Sequence, residues 1–329
     1  MRKIIFLLIS ALGVIATGCA PVGPCYFDNE IVDQQFVHRY GVTVPKHHWE
    51  ETGQNGQVVT TLRDGVTCKQ TFYLGRLEGE TTYTYPFSSN IEKVQQFSQD
   101  QLLKETLYFS SGMPKQETVH TISENTTEVK QWYENGVLKS TEKYSGSLIV
   151  RGDYYDQNGH RLSGIEQGSG VRMLRDTYGL LVFTDQFKDG EVEYRTTYYT
   201  EGSPKEMDPY TNGVVEGQRK TFYPGGEPKT IETWKRGKQE GLTTIFQNGQ
   251  KSQEIPYVAG YKQGLGKVYK DGATVVQEVT WKDDFMHGPC VTYIDNRKAT
   301  EWYYKGKKVT KGYYDSFNIK PHVEDVTEY

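Results

Sequence analysis

Gly217-Gln-Arg-Lys-Thr-Phe222-Tyr-Pro-Gly-Gly-Glu-Pro-Lys-Thr-Ile-Glu-Thr-Trp234-Lys-Arg-Gly-Lys-Gln-Glu240 decides the fold, because the next residue, Gly241, starts the pattern again. Gly217, Gly241, Gly264, Gly288 and Gly312 stand 24, 23, 24 and 24 residues apart. An aromatic follows each by five positions: Phe222, Phe246, Tyr269, Tyr293 and Phe317. A fixed period of this length marks a repeat protein. In such an array each unit packs on its neighbours, and the molecule offers a surface more readily than a pocket.

One unit predicts two strands and two turns. Lys220-Thr-Phe-Tyr223 and Thr230-Ile-Glu-Thr-Trp234 alternate polar with apolar or β-prone residues, the period of a strand. Pro224-Gly-Gly226 and Arg236-Gly-Lys238 are turns, and Asn248-Gly249 and Asp271-Gly272 are strong hairpin signals. A second aromatic column, Trp234, Tyr257, Trp281 and Tyr303, precedes the other turn. Upstream the beat decays but persists in the turn glycines 112, 136, 159 and 202. No long stretch carries helical periodicity with caps. The expected fold is all-β: an elongated single-layer antiparallel β-meander of about ten hairpin repeats. The expected segments are 1–18 as signal peptide, 19–50 as tether and N-terminal cap, 51–318 as the array, and 319–329 as a polar tail.

Trp132-Tyr-Glu-Asn-Gly-Val-Leu-Lys-Ser140 and Trp234-Lys-Arg-Gly-Lys-Gln-Glu-Gly241 resemble MORN repeats, most closely the bacterial variant found in YwqK-type antitoxin proteins. The resemblance covers most of residues 100–318. It implies a repeat fold and no catalytic residues. Its functional range spans scaffolds, lipid-associated proteins and antitoxins.

Met1-Arg-Lys3 followed by the apolar run Ile4 to Ala16 reads as a secretory signal, too short for a stable membrane span. Ile15-Ala-Thr-Gly-Cys19 resembles a bacterial lipobox. This implies cleavage before Cys19 and its acylation, and Ala20 after it implies sorting to the outer membrane. Removing Arg2 and Lys3 from the formal net charge of −4 leaves −6, which argues against nucleic acid and against unaided binding to anionic lipid.

Other constellations read as structural. Cys25 and Cys68 are candidates for a disulfide tying the cap to the first repeat, and Cys290 occupies a strand slot as a buried thiol. His47 and His48 lie beside Glu50 and Glu51, but neighbours in an extended chain point apart, so no metal site is expected. No nucleophile elbow, phosphate-binding loop or zinc-protease motif is present, and no cofactor is expected. The aromatics at Gly+5 are expected to pack along the array as its core. Tyr223, Gln247, Lys270 and Ile294, on the face opposite them, are the candidate binding row. The function expected is a membrane-anchored scaffold, held by lipid on Cys19, that binds a protein partner in the cell envelope. The rival readings are an immunity protein that neutralises a toxin, and a glycan or peptidoglycan binder using exposed aromatics.

Overall fold

The computed structural model describes residues 31–318 apart from 177 and 296. The chain is all-β, and its 29 strands form one antiparallel sheet in which strands close in sequence pair as a meander. Contacts divide it into two units. The first takes residues up to 173 with 177–179 and 187–190; the second takes 174–176, 180–186 and 191 onward.

In the first unit, the strand Ile31–His38 pairs along its length with Gly56–Leu62, so the sheet begins inside the stretch expected to be a cap. A helix, α1 (Lys46–Glu51), lies between these strands. It is anchored by Trp49, 4% exposed, whose ring sits 5.8 Å from Phe36 and 6.3 Å from Phe72. His47 and His48 therefore stand on a helix rather than an extended chain, and both are exposed. Directly paired residues share a face, so Thr60, Cys68 and Tyr83, matched across three strands, form one buried row. Further along, Ser140 faces Tyr154 and Glu142 faces Gly152. A side chain at Gly152 would meet the Tyr154 ring, its Cβ falling 2.7 Å from the hydroxyl, so glycine makes the ring's position possible.

The second unit shows why the repeat glycines recur. Gly217 lies directly opposite Trp234, Gly241 opposite Tyr257, Gly264 opposite Trp281 and Gly288 opposite Tyr303. All four have positive φ, between 82° and 110°, a conformation L side chains avoid. At the first three of these glycines the strand leaving a turn is broken, and at Gly288 the strand runs on through a shift in register. Val214–Val215 pairs with the preceding strand, and after Glu216 the strand Gly217–Phe222 resumes. The face carrying these glycines also carries Thr243, Ile255, Val279 and Cys290, all buried.

Two expectations need correction. Phe222, Phe246, Tyr269 and Tyr293 point to the other face, are only half-buried, and none of the ring pairs found among the described residues joins them. The buried positions of this unit, Thr243, Ile255, Val279 and Cys290, lie instead on the glycine face, beside the rings of Trp234, Tyr257, Trp281 and Tyr303. Gly312 and Phe317 do not continue the array: they lie in a helix, α2 (Lys311–Asn318). Tyr313, Tyr314 and Phe317 present rings that pack on the last strands, with Tyr314 5.0 Å from Trp302 and Phe317 5.0 Å from Tyr304. A helix laid over the end of a sheet covers surface that another repeat would otherwise bury.

Candidate partner-binding surfaces

Along one edge of the second unit the hairpins close in two-residue turns with both residues at positive φ: Arg236-Gly237, Ala259-Gly260, Asp283-Asp284 and Lys305-Gly306. This is the turn whose twist matches that of paired strands. The residue before each repeat glycine braces the turn that follows about twenty residues later. Glu216 Oε2 accepts the Arg236 N–H at 2.6 Å, Glu240 Oε2 that of Ala259 at 2.8 Å, and Gln263 Oε1 that of Asp283 at 3.1 Å. His287 Nδ1 stands 3.4 Å from the Lys305 nitrogen. The second turn residue donates to a backbone carbonyl of the preceding turn region: Gly237 to Val215 at 3.0 Å, Gly260 to Gln239 at 2.9 Å, Gly306 to Met286 at 2.9 Å. In the first unit Glu78 Oε2 accepts from Gln99 N–H at 2.8 Å in the same way. The Glu-Gly pair of the repeat thus has two tasks: the carboxylate ties one turn to the last, and the glycine makes the kink.

This braced edge displays an ordered row. Val214, Lys238, Tyr261, Phe285 and Lys307 occupy equivalent positions just after successive turns. Lys235, Val258 and Lys282 stand just before them. The apolar members are open to solvent: Val214 is 43% exposed, Val258 49%, Tyr261 57% and Phe285 54%. Val214 and Phe285 lie close to the next turn. A Cβ at Gly237 would come within 3.1 Å of Val214, and one at Gly306 within 3.4 Å of Phe285. Glu216 and Glu240 point at backbone N–H groups, as does Asp284, which accepts from Lys262 at 2.7 Å.

The expected binding row lies at the opposite edge, beside the other set of turns. Gln247, Lys270 and Ile294 are exposed, but Tyr223 is half-buried and donates its hydroxyl to the Phe246 carbonyl at 3.2 Å. That contact is itself a repeat feature. Tyr199 reaches the Phe222 carbonyl at 2.8 Å; in the first unit Tyr85 reaches Tyr108 at 2.7 Å and Tyr133 reaches Tyr155 at 2.9 Å.

The glycine face of the second unit carries buried charge. Arg195 grips Asp185, fully buried, through Nε at 2.7 Å and Nη2 at 3.0 Å. Arg219 is shared among Glu206, Asp208 and, at 3.9 Å, Glu232. Its Nε lies 2.8 Å from Asp208 Oδ1 but is not aligned to donate to it. Burial and the nearby Glu232 therefore prevail, and the Asp208 carboxyl is pushed up to about 6. On the other face, Tyr269 donates to Glu254 at 2.5 Å and Lys251 lies 2.9 Å from the same carboxylate, which these bonds hold below its usual range. Tyr293 donates to Glu278 at 2.8 Å. In the first unit Tyr144 and Tyr154 both donate to Glu142, at 2.6 and 2.7 Å, and burial raises both phenols.

The tryptophans of the second unit are each covered: Arg219 lies over Trp234, Lys262 over Trp281, and Tyr314 against Trp302. Cys68 is fully buried; Cys19 and Cys25 lie outside the described residues. Burial, then Glu301, raises the Cys290 thiol. Among the described residues no group of three His, Cys, Asp or Glu is placed to hold a metal, and no helix is long and apolar enough to cross a membrane. The bracing side chains escaped the sequence reading, although the recurrence of Glu78, Glu216, Glu240, Gln263 and His287 before their glycines was visible there.

No family model matches the chain, and no curated protein does. Among solved structures, it is similar to a chain of the Photorhabdus luminescens Tc holotoxin pore carrying a TccC3 mutation, at 11% identity and a TM-score of 0.16, covering 82% of this chain and 15% of that one. A TcdB2–TccC3 crystal structure gives 11% identity and a TM-score of 0.16, covering 82% of this chain and 16% of that one. The chain thus spans about a sixth of these structures' length, and a likeness at this score carries no argument.

Proposed function

We propose that the chain is a membrane-anchored repeat scaffold that binds a protein partner in the cell envelope and performs no catalysis. The observation that supports this most is the regularity of the hairpin edges. Turn after turn is tied to its predecessor, so side chains are presented at a fixed spacing by a backbone already ordered before binding. A pre-ordered surface loses less entropy on association than a loose one. The proposed anchor is lipid on Cys19. The glycan reading draws less support, because each tryptophan of the second unit is covered by a neighbour.

The test is an affinity purification from envelope fractions with the full chain, followed by reconstitution with the purified candidate. A single protein that binds the full chain in stoichiometric ratio supports the reading. Reconstitution that fails for every enriched protein contradicts it.

A further inference from the structure

Six cations stand on the braced edge of the second unit: Lys235, Arg236, Lys238, Lys282, Lys305 and Lys307. All are exposed, and none forms an ion pair among the described residues. The acids between them are Glu216, Glu240, Asp283 and Asp284, of which Glu216, Glu240 and Asp284 accept backbone N–H groups of the same edge, so six cations stand against four carboxylates. A chain of formal net charge −4 therefore carries a locally basic margin. Between the cations lie Val214, Val258, Tyr261 and Phe285, each 43% exposed or more. Equivalent positions recur every two strands, or about 10 Å at ordinary strand spacing.

Building on the partner-binding reading, we infer that this margin is the contact surface and that its occupant is an acidic protein segment with interspersed apolar side chains. The lysines select for carboxylates and speed encounter, and the open rings bury apolar groups that charge alone would not order. A bare polyanion fits less well. It would leave Tyr261 and Phe285 without apolar partners. The turns that carry the row are held by hydrogen bonds from the unit before, so the row is set before any ligand arrives.

The experiment titrates the full chain with a labelled synthetic peptide of alternating glutamate and leucine or phenylalanine. Polyglutamate, phosphatidylglycerol vesicles and single-stranded DNA serve as comparison probes. The peptide binds most tightly, and its affinity falls as salt rises. The variant K238E/K282E/K307E weakens it by about tenfold, in line with three modest surface pairs. Y261A/F285A also weakens it and flattens no part of the salt dependence. Because these side chains are exposed, the variants keep the wild-type melting behaviour. Equal peptide affinity for wild type and the charge-reversed variant overturns the inference. So does tighter binding of vesicles or DNA than of peptide. A partner recovered from the envelope that binds both forms equally leaves the scaffold reading standing and sinks this one.

Discussion

Glu240 Oε2 accepts the backbone N–H of Ala259 at 2.8 Å, joining residues 19 positions apart. The bond lies between the acid that precedes one repeat glycine and the turn that closes the next hairpin. Because Glu216 treats Arg236 alike, the contact is a property of the repeat. Glu240→Ala should cost about 1–2 kcal/mol, the usual range when a charged acceptor leaves a backbone donor. Glu240→Gln should recover most of it. Urea melts of the full chain decide this; an unchanged midpoint for the alanine variant shows the turn to be held by other means.

The two glycines at the ends of the last beat should respond with opposite sign. Gly288 has φ 109°, and an added Cβ would meet Thr280 and the Tyr314 hydroxyl at 3.4 Å. Gly288→Ala should therefore cost about 1–3 kcal/mol in backbone strain. Gly312 sits in α2 with open space around it. Gly312→Ala should stabilise by about 0.5 kcal/mol, because alanine favours the helix. A loss of stability at both positions would return residues 312–317 to the array.

The tyrosine braces can be removed one hydroxyl at a time. Tyr199→Phe takes away the bond to the Phe222 carbonyl at 2.8 Å and keeps the ring. A cost near 1 kcal/mol is expected. Tyr194→Phe, at a site 41% exposed, serves as the comparison and should be neutral within about 0.5 kcal/mol.

Asp208 gives a pH dependence of definite sign. Its carboxyl is raised from 3.8 to about 6 in the folded chain, so folding favours the protonated form. The associated stability is complete below the unfolded value and is lost as pH rises through about 6. Above that window the ionised group is a standing cost of up to about 2–3 kcal/mol. Asp208→Asn should thus be more stable than wild type at pH 7.5, with the advantage vanishing near pH 4. A variant that is less stable at pH 7.5 would show that the Arg219 ion pair outweighs burial.

The period, the turn dipeptides and the all-β class were legible because each depends on local chemistry: Gly at positive φ, Asn-Gly at hairpins, alternation along strands. What joins one unit to the next was not. Glu216 and Arg236 are twenty residues apart, and nothing local in either marks them as partners. The face of the Gly+5 rings was misread for a related reason. Phe222 was expected to pack with the other Gly+5 aromatics along the array as its core. The buried positions Thr243, Val279 and Cys290 lie on the other face, which the second aromatic column shares. Tyr223 looked like open surface until its hydroxyl was found on Phe246. The helix at 311–318 was hidden by its own aromatics, whose spacing mimics one more beat.

In the function proposed, an ordered edge of the second unit meets a protein partner. Amide hydrogen exchange of the full chain, with and without the partner recovered from the envelope, tests it most directly. Added protection confined to residues 235–238, 258–262, 282–285 and 304–308 is the predicted result. Protection centred on the opposite edge, around 247, 270 and 294, or confined to the first unit, would contradict it.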